Sequence, residues 1–114
     1  MKIKMIGLGK MGLNLALNMQ EHQIEVEGFD VNEETRKNAE INNIKTYSSL
    51  EDTVSNSEQN VIWVMLPAGK ITNMVLNNLS NLCNKNDIVI DGGNSDWRDS
   101  LKTAKSMEEK GIYF

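Results

Sequence analysis

Ile3-Lys4-Met5-Ile6-Gly7-Leu8-Gly9-Lys10-Met11-Gly12-Leu13-Asn14-Leu15-Ala16-Leu17-Asn18-Met19 is the stretch from which the fold can be read. An apolar strand runs into a G-x-G-x-x-G turn, and the turn opens directly onto a helix. Each glycine has a separate task in such a turn. Gly7 lets the chain leave the strand sharply. Gly9 has no Cβ, so a phosphate can approach the backbone. Gly12 lets the helix lie close to the sheet. The free N–H groups and positive dipole end of that helix then face an anion. Glycines also occur in ordinary strand–turn–helix units, so the motif gains its meaning from context.

The context is Asp30, which ends the next apolar stretch of Ile24, Val26, Gly28 and Phe29. A carboxylate there accepts hydrogen bonds from the adenosine ribose hydroxyls of a dinucleotide. It is also placed to help cap the following helix. It repels a 2′-phosphate, no arginine adjoins it, and Arg36 lies a helical turn further on. The expected cofactor is therefore NAD rather than NADP.

The rest of the chain repeats strand and helix. Strands are expected at 2–6, 24–30, 45–47, 60–66 and 87–91, and a sixth begins at Ile112-Tyr113-Phe114. Helices are expected from Lys10 to Glu21, Glu33 to Asn42, Ser48 to Ser57, Lys70 to Leu82, and from Asp96 to Gly111. Asn32 suits the N-cap of the second helix. Ser48 and Glu51 read as a capping box for the third. The first helix is apolar nearly all round, which predicts burial. Ile71, Met74, Val75, Leu79 and Leu82 form the expected core stripe of the fourth helix. Trp97, Leu101, Ala104 and Met107 form that of the fifth. The run Val61–Leu66 is continuous and apolar, as in a strand buried on both faces. Pro67 then turns the chain out at the strand's carboxyl end, where open parallel sheets bind ligands. The Leu66–Gly69 loop is thus either a cofactor border or a plain connection. The pattern specifies an α/β fold, a Rossmann-like doubly wound parallel sheet that is incomplete at its C-terminal end.

Composition narrows the function. With 114 residues the chain is one domain at most, and its net charge is −4. No Lys/Arg cluster supports nucleic-acid binding. No apolar run reaches transmembrane length, and no signal-peptide pattern is present, so a cytoplasmic protein is expected. The single cysteine, Cys83, allows no internal disulfide and reads as a small half-buried residue. His22 has no catalytic partner nearby and reads as a surface residue. There is no metal-ligand cluster.

Three motifs carry a family resemblance. The segment Gly7–Met19 resembles the fingerprint of the decarboxylating 6-phosphogluconate dehydrogenases. So does Leu66-Pro67-Ala68-Gly69. Asp91-Gly92-Gly93-Asn94-Ser95 is the most telling, because the related 3-hydroxyisobutyrate dehydrogenases usually carry a D-x-S-T-type sequence there. The resemblance covers all 114 residues and the first part of a family enzyme. It implies that Gly7, Leu8, Gly9, Lys10, Met11 and Gly12 bind the cofactor pyrophosphate. It places Asp30, Val31 and Asn32 at the ribose-selecting position, where NADP-using members usually carry Asn-Arg-Ser/Thr. It sets Leu66, Pro67 and Ala68 beside the adenosine, although many members have a lysine where Pro67 stands. Asn94 matches the family asparagine that touches both nicotinamide and substrate; it is also placed to cap the fifth helix.

The implied reaction is oxidative decarboxylation of 6-phosphogluconate to ribulose 5-phosphate in the pentose phosphate pathway. The family's lysine and glutamate acid–base pair and its helical substrate domain fall after Phe114, so no catalytic residue is assigned. The expectation is a dinucleotide-binding domain over residues 1–114 that binds cofactor without turnover. A homo-oligomer is implied at full family length. A stand-alone nucleotide sensor and a 3-hydroxyisobutyrate-type dehydrogenase are the alternatives.

Overall fold

The computed structural model describes residues 2–54, 59–66, 70–92 and 97–114. Five strands, β1 (Lys2–Ile6), β2 (Glu25–Phe29), β3 (Lys45–Tyr47), β4 (Val61–Val64) and β5 (Ile88–Asp91), form one sheet. They alternate with five helices, α1 (Lys10–Glu21), α2 (Glu33–Ile41), α3 (Leu50–Val54), α4 (Lys70–Leu82) and α5 (Trp97–Glu109). The strand order is β3-β2-β1-β4-β5 and every pairing is parallel. Beyond β5, Tyr113 forms a parallel bridge with Ile88. Its N–H donates to the Asp87 carbonyl, and its carbonyl accepts from the Val89 N–H. The expected sixth strand therefore starts on the outer edge of β5.

Alternation along the strands divides the apolar side chains between two faces. Ile3, Met5 and Val26 pack with Ala16, Met19, Ala39 and Ile44 under α1 and α2. Ile6, Phe29, Ile62, Val64 and Val89 pack with Val54, Leu76, Leu79 and Met107 under α3, α4 and α5. The chain crosses from one face to the other between β3 and β4. Strand order thus reverses between β1 and β4, and a crevice opens at their carboxyl ends.

Several local expectations need correction. α1 buries Gly12, Ala16 and Met19, but Met11 is 70% exposed. Its apolar character exceeds what one sheet face can cover. In α4 the buried positions are Thr72, Leu76, Leu79 and Ser80, while Ile71 is 59% and Met74 64% exposed. Leu79 is buried and Val75 and Leu82 pack against the core as expected, but the buried face also takes in Thr72, Leu76 and Ser80 in place of Ile71 and Met74. Ser80 Oγ donates to the Asn77 carbonyl at 2.9 Å, so its burial leaves no orphan donor. In α5 Met107 is buried and Leu101 is 61% exposed. Ser49, not Ser48, caps α3: its Oγ accepts from the Asp52 N–H at 3.1 Å. The expected continuation of that helix to Ser57 lies outside the described residues. Asn32 caps α2 as expected, accepting from the Thr35 N–H at 3.1 Å.

β1 and β2 bury an ion pair between them. Lys4 is 1% exposed and faces Glu27, its register partner on β2. Lys4 Nζ lies 2.7 Å from Glu27 Oε1, and the Tyr47 hydroxyl donates to the same oxygen at 2.8 Å. Lys2 adds a contact of 3.3 Å. Burial alone pushes the Glu27 carboxyl up. Hydrogen bonds from Lys4, Tyr47 and Lys2 overcome that and hold it lowered to about 2. The charge is buried because it is paired.

Candidate functional site

Four strand ends meet at the crevice. Gly7 N–H donates to the Phe29 carbonyl, Met65 N–H to the Ile6 carbonyl and Gly92 N–H to the Val64 carbonyl, each at 2.8 Å. The glycine turn, Asp30, Met65-Leu66 and Gly92 therefore sit side by side although they are far apart in sequence.

The glycines of the turn differ in what surrounds them. Gly7 has φ +98°, a left-handed conformation, and a Cβ there would collide with the Met65 carbonyl. A Cβ at Gly12 would collide with the Gly7 carbonyl, so α1 can lie against the turn only with glycine at that position. A Cβ at Gly9 would meet nothing within 4 Å. Gly9 thus keeps the space in front of the helix open, which is the room an approaching phosphate needs.

α1 begins without a cap. Gly9 is its N-cap residue, no side chain accepts from the first-turn N–H groups, and that turn holds no acid. Its ladder starts with Leu13 N–H on the Gly9 carbonyl at 2.8 Å, so the N–H groups ahead of it are unclaimed within the helix. α2 shows the contrast: Asn32 caps it, and Glu33 and Glu34 complement its dipole. The uncapped start of α1, with positive partial charge and exposed Lys10 beside it, presents free donors that can bind an external anion. A groove of about 440 Å³ runs from this start toward α2, lined by Leu8, Gly9, Lys10, Leu13, Asn14, Glu34, Thr35 and Asn38.

Asp30 is half-buried at the end of β2 and tied to the turn. One carboxylate oxygen accepts from the Leu8 N–H and the other from the Asn32 N–H, both at 2.9 Å. These bonds hold the carboxylate against the crevice and leave it lone pairs for further donors. Arg36 folds back, and its Nη1 donates to the Asp30 carbonyl at 2.7 Å. Sequence spacing put Arg36 a turn away; the structure puts its guanidinium next to Asp30. Val31 and Asn32 are exposed at the same rim.

Met11 stands exposed in the first turn of α1, and Leu66 packs against the core beside Gly7. Pro67, Ala68 and Asn94 lie outside the described residues. His22 is a surface residue, its Nδ1 2.8 Å from the Asn18 carbonyl. Burial, followed by the charge and hydrogen bonding of Asp87, pushes the Cys83 thiol up to about 12, so it stays protonated and unreactive at neutral pH. Among the described residues no group of His, Cys, Asp and Glu could hold a metal ion.

The chain is similar to known proteins in sequence and in fold. The family model described as the NAD binding domain of 6-phosphogluconate dehydrogenase matches residues 2–114. The chain is 36% identical over 115 residues to the decarboxylating 6-phosphogluconate dehydrogenase of Bacillus licheniformis, covering 96% of this chain and 25% of that protein. It is 34% identical over 115 residues to the NAD(+)-dependent, decarboxylating enzyme of Bacillus subtilis, again covering 96% and 25%. Among solved structures, Plasmodium falciparum 6-phosphogluconate dehydrogenase, described with its cofactor NADP+ and its substrate, superposes with a TM-score of 0.84. That match has 28% identity and covers 99% of this chain and 26% of that one. Mycobacterium tuberculosis 3-hydroxyisobutyrate dehydrogenase shares the fold, with a TM-score of 0.87 at 20% identity over 98% of this chain and 38% of that one. The chain spans 38% or less of the length of the curated relatives it matches. It belongs to the 6-phosphogluconate dehydrogenase family, and what it matches there is the family's NAD-binding domain.

Proposed function

We propose that the chain binds NAD in preference to NADP at the carboxyl ends of β1, β2 and β4, as the cofactor domain for oxidation of 6-phosphogluconate. The observation that carries this reading is the uncapped start of α1, facing open space at Gly9 and flanked by the Asp30 carboxylate. The residues present fit a dinucleotide. The turn from Gly7 through Leu8, Gly9, Lys10 and Met11 to Gly12 cradles the pyrophosphate. Asp30, with Val31 and Asn32, takes the adenosine ribose, and Leu66, Pro67 and Ala68 border the adenosine. Asn94 donates and accepts toward nicotinamide and substrate. When bound, the cofactor supplies hydride chemistry, and the chain's own part is position and electrostatics. The chain alone holds the cofactor without turning over 6-phosphogluconate.

The NAD preference rests on Asp30, whose carboxylate repels a 2′-phosphate at the same rim. Arg36 is the counterweight: its Nη1 donates to the Asp30 carbonyl at 2.7 Å, so a cation adjoins the carboxylate. Calorimetric titration of both cofactors tests the reading. NAD is expected to bind at least about tenfold tighter, the effect of 1.4 kcal/mol. Asp30→Asn is expected to narrow that ratio by removing the repulsion. Tighter NADP binding by the unaltered chain would overturn the preference.

A further inference from the structure

We propose that Glu34 is a second specificity-determining residue for the cofactor, a negative charge that turns away a phosphate on the adenosine ribose. α2 opens with two acids, Glu33 and Glu34. Either one complements the helix dipole. Glu33 is paired with Lys37, one turn on, at 3.5 Å. Among the described residues no cation or hydrogen-bond donor engages the Glu34 carboxylate. The unpaired acid is the one that lines the groove between α1 and α2.

The Asp30 carboxylate is tied to both walls of that groove. Leu8, a lining residue, donates its N–H to one Asp30 oxygen. Asn32 donates its N–H to the other, and its side chain accepts from Thr35, a lining residue of the opposite wall. Asp30 therefore stands at the head of the groove. Only two of the eight lining residues are charged, Lys10 in α1 and Glu34 in α2. The groove is positive where α1 begins and negative along the first turn of α2.

With the dinucleotide placed as proposed above, on which this rests, the pyrophosphate takes the Lys10 end and the adenosine ribose takes Asp30. NAD puts no charge at the α2 end. NADP adds a phosphate monoester there, which carries about −1.5 to −2 at neutral pH. Arg36 offsets part of the Asp30 charge, and Glu34 restores the repulsion. The sign of charge along the groove thus matches a ligand with phosphates at the α1 end and none at the α2 end.

Calorimetric titration of the 114-residue chain with NAD and with NADP tests this role. Glu34→Gln keeps the size of the side chain and removes its charge. It is expected to tighten NADP about threefold, the size of one interaction between exposed charges, and to leave NAD nearly unchanged. The gain should shrink as salt is raised, because exposed charges are screened. Glu34→Lys reverses the charge and should exceed that gain. Glu109→Gln removes an equal, exposed charge from α5, on the other face of the sheet, and should leave both affinities unchanged. Unchanged NAD binding also reports that the variants fold. Equal gains for both cofactors, no gain for NADP, or the same gain from Glu109→Gln would overturn the role of Glu34 and spare the dinucleotide reading. If the unaltered chain binds NADP more tightly and Glu34→Gln still tightens NADP alone, the preference assigned to Asp30 falls and the role of Glu34 stands. Failure to bind either cofactor would overturn both.

Discussion

Glu27 is a carboxylate with almost no access to water, and it stays charged because three donors surround it. Its loss tests that account. Glu27→Gln leaves the Lys4 ammonium buried beside a neutral amide, and breaking such a pair costs about 3 kcal/mol. The urea midpoint of the variant should fall accordingly. Replacing both members, as Lys4→Met with Glu27→Leu, should recover most of the loss, because no charge is then left unpaired. The pH dependence follows with a definite sign. The folded carboxyl, lowered to about 2, lies below its ordinary value of 4.5. Its contribution is complete above about pH 4.5 and disappears as pH falls from there toward 2. Acid titration of unfolding should show a loss of stability across that window, and the double replacement should flatten it. None of this was legible in the sequence. Lys4 and Glu27 stand 23 residues apart, and nothing in the local sequence of β1 says that one of its two lysines is buried and paired. Only the parallel register brings the two together.

The helices show which signals survive in one dimension. The Asn32 cap and its two following acids are local, and they were readable. The cap of α3 was misplaced by one residue because Ser48 and Ser49 are chemically alike and only the backbone path separates them. The α4 stripe was right at Val75, Leu79 and Leu82 and wrong at Ile71 and Met74, because the apolar pattern and the packed face differ in phase. The packed face uses Thr72 and Ser80, which an apolar count passes over. α1 carries the functional signal, and its seating on the turn depends on Gly12. A methyl at that position collides with the Gly7 carbonyl, so α1 must shift away from the crevice. Gly12→Ala is expected to lower stability by about 1–3 kcal/mol, the usual range for overpacking. It is also expected to weaken NAD by more than about tenfold, since the N–H groups proposed to hold the pyrophosphate move with the helix. Thermal melting and calorimetry on the same sample check both. A variant that melts and binds like the unaltered chain would contradict the packing role given to Gly12.

Across the whole molecule, the candidate site exists only because the sheet reverses order between β1 and β4. Gly7, Asp30, Leu66 and Gly92 reach one crevice from four strand ends. Motif spacing named Gly7, Asp30 and Leu66 as site residues, and the topology explains their meeting. The bonds from Leu8 and Arg36 to Asp30 leave no periodic trace in the sequence. Pro67, Ala68 and Asn94, named on the family motifs, keep the roles proposed for them and await a test by substitution. A crevice built for a dinucleotide must take one up in this 114-residue chain. The direct measurement is the melting temperature with and without NAD. At about 100 times Kd a ligand specific to the folded state adds roughly 2.7 kcal/mol, which should raise Tm by several degrees. A rise that saturates with NAD, and is smaller with NADP at equal concentration, is the predicted result. An unchanged Tm with both cofactors would contradict it.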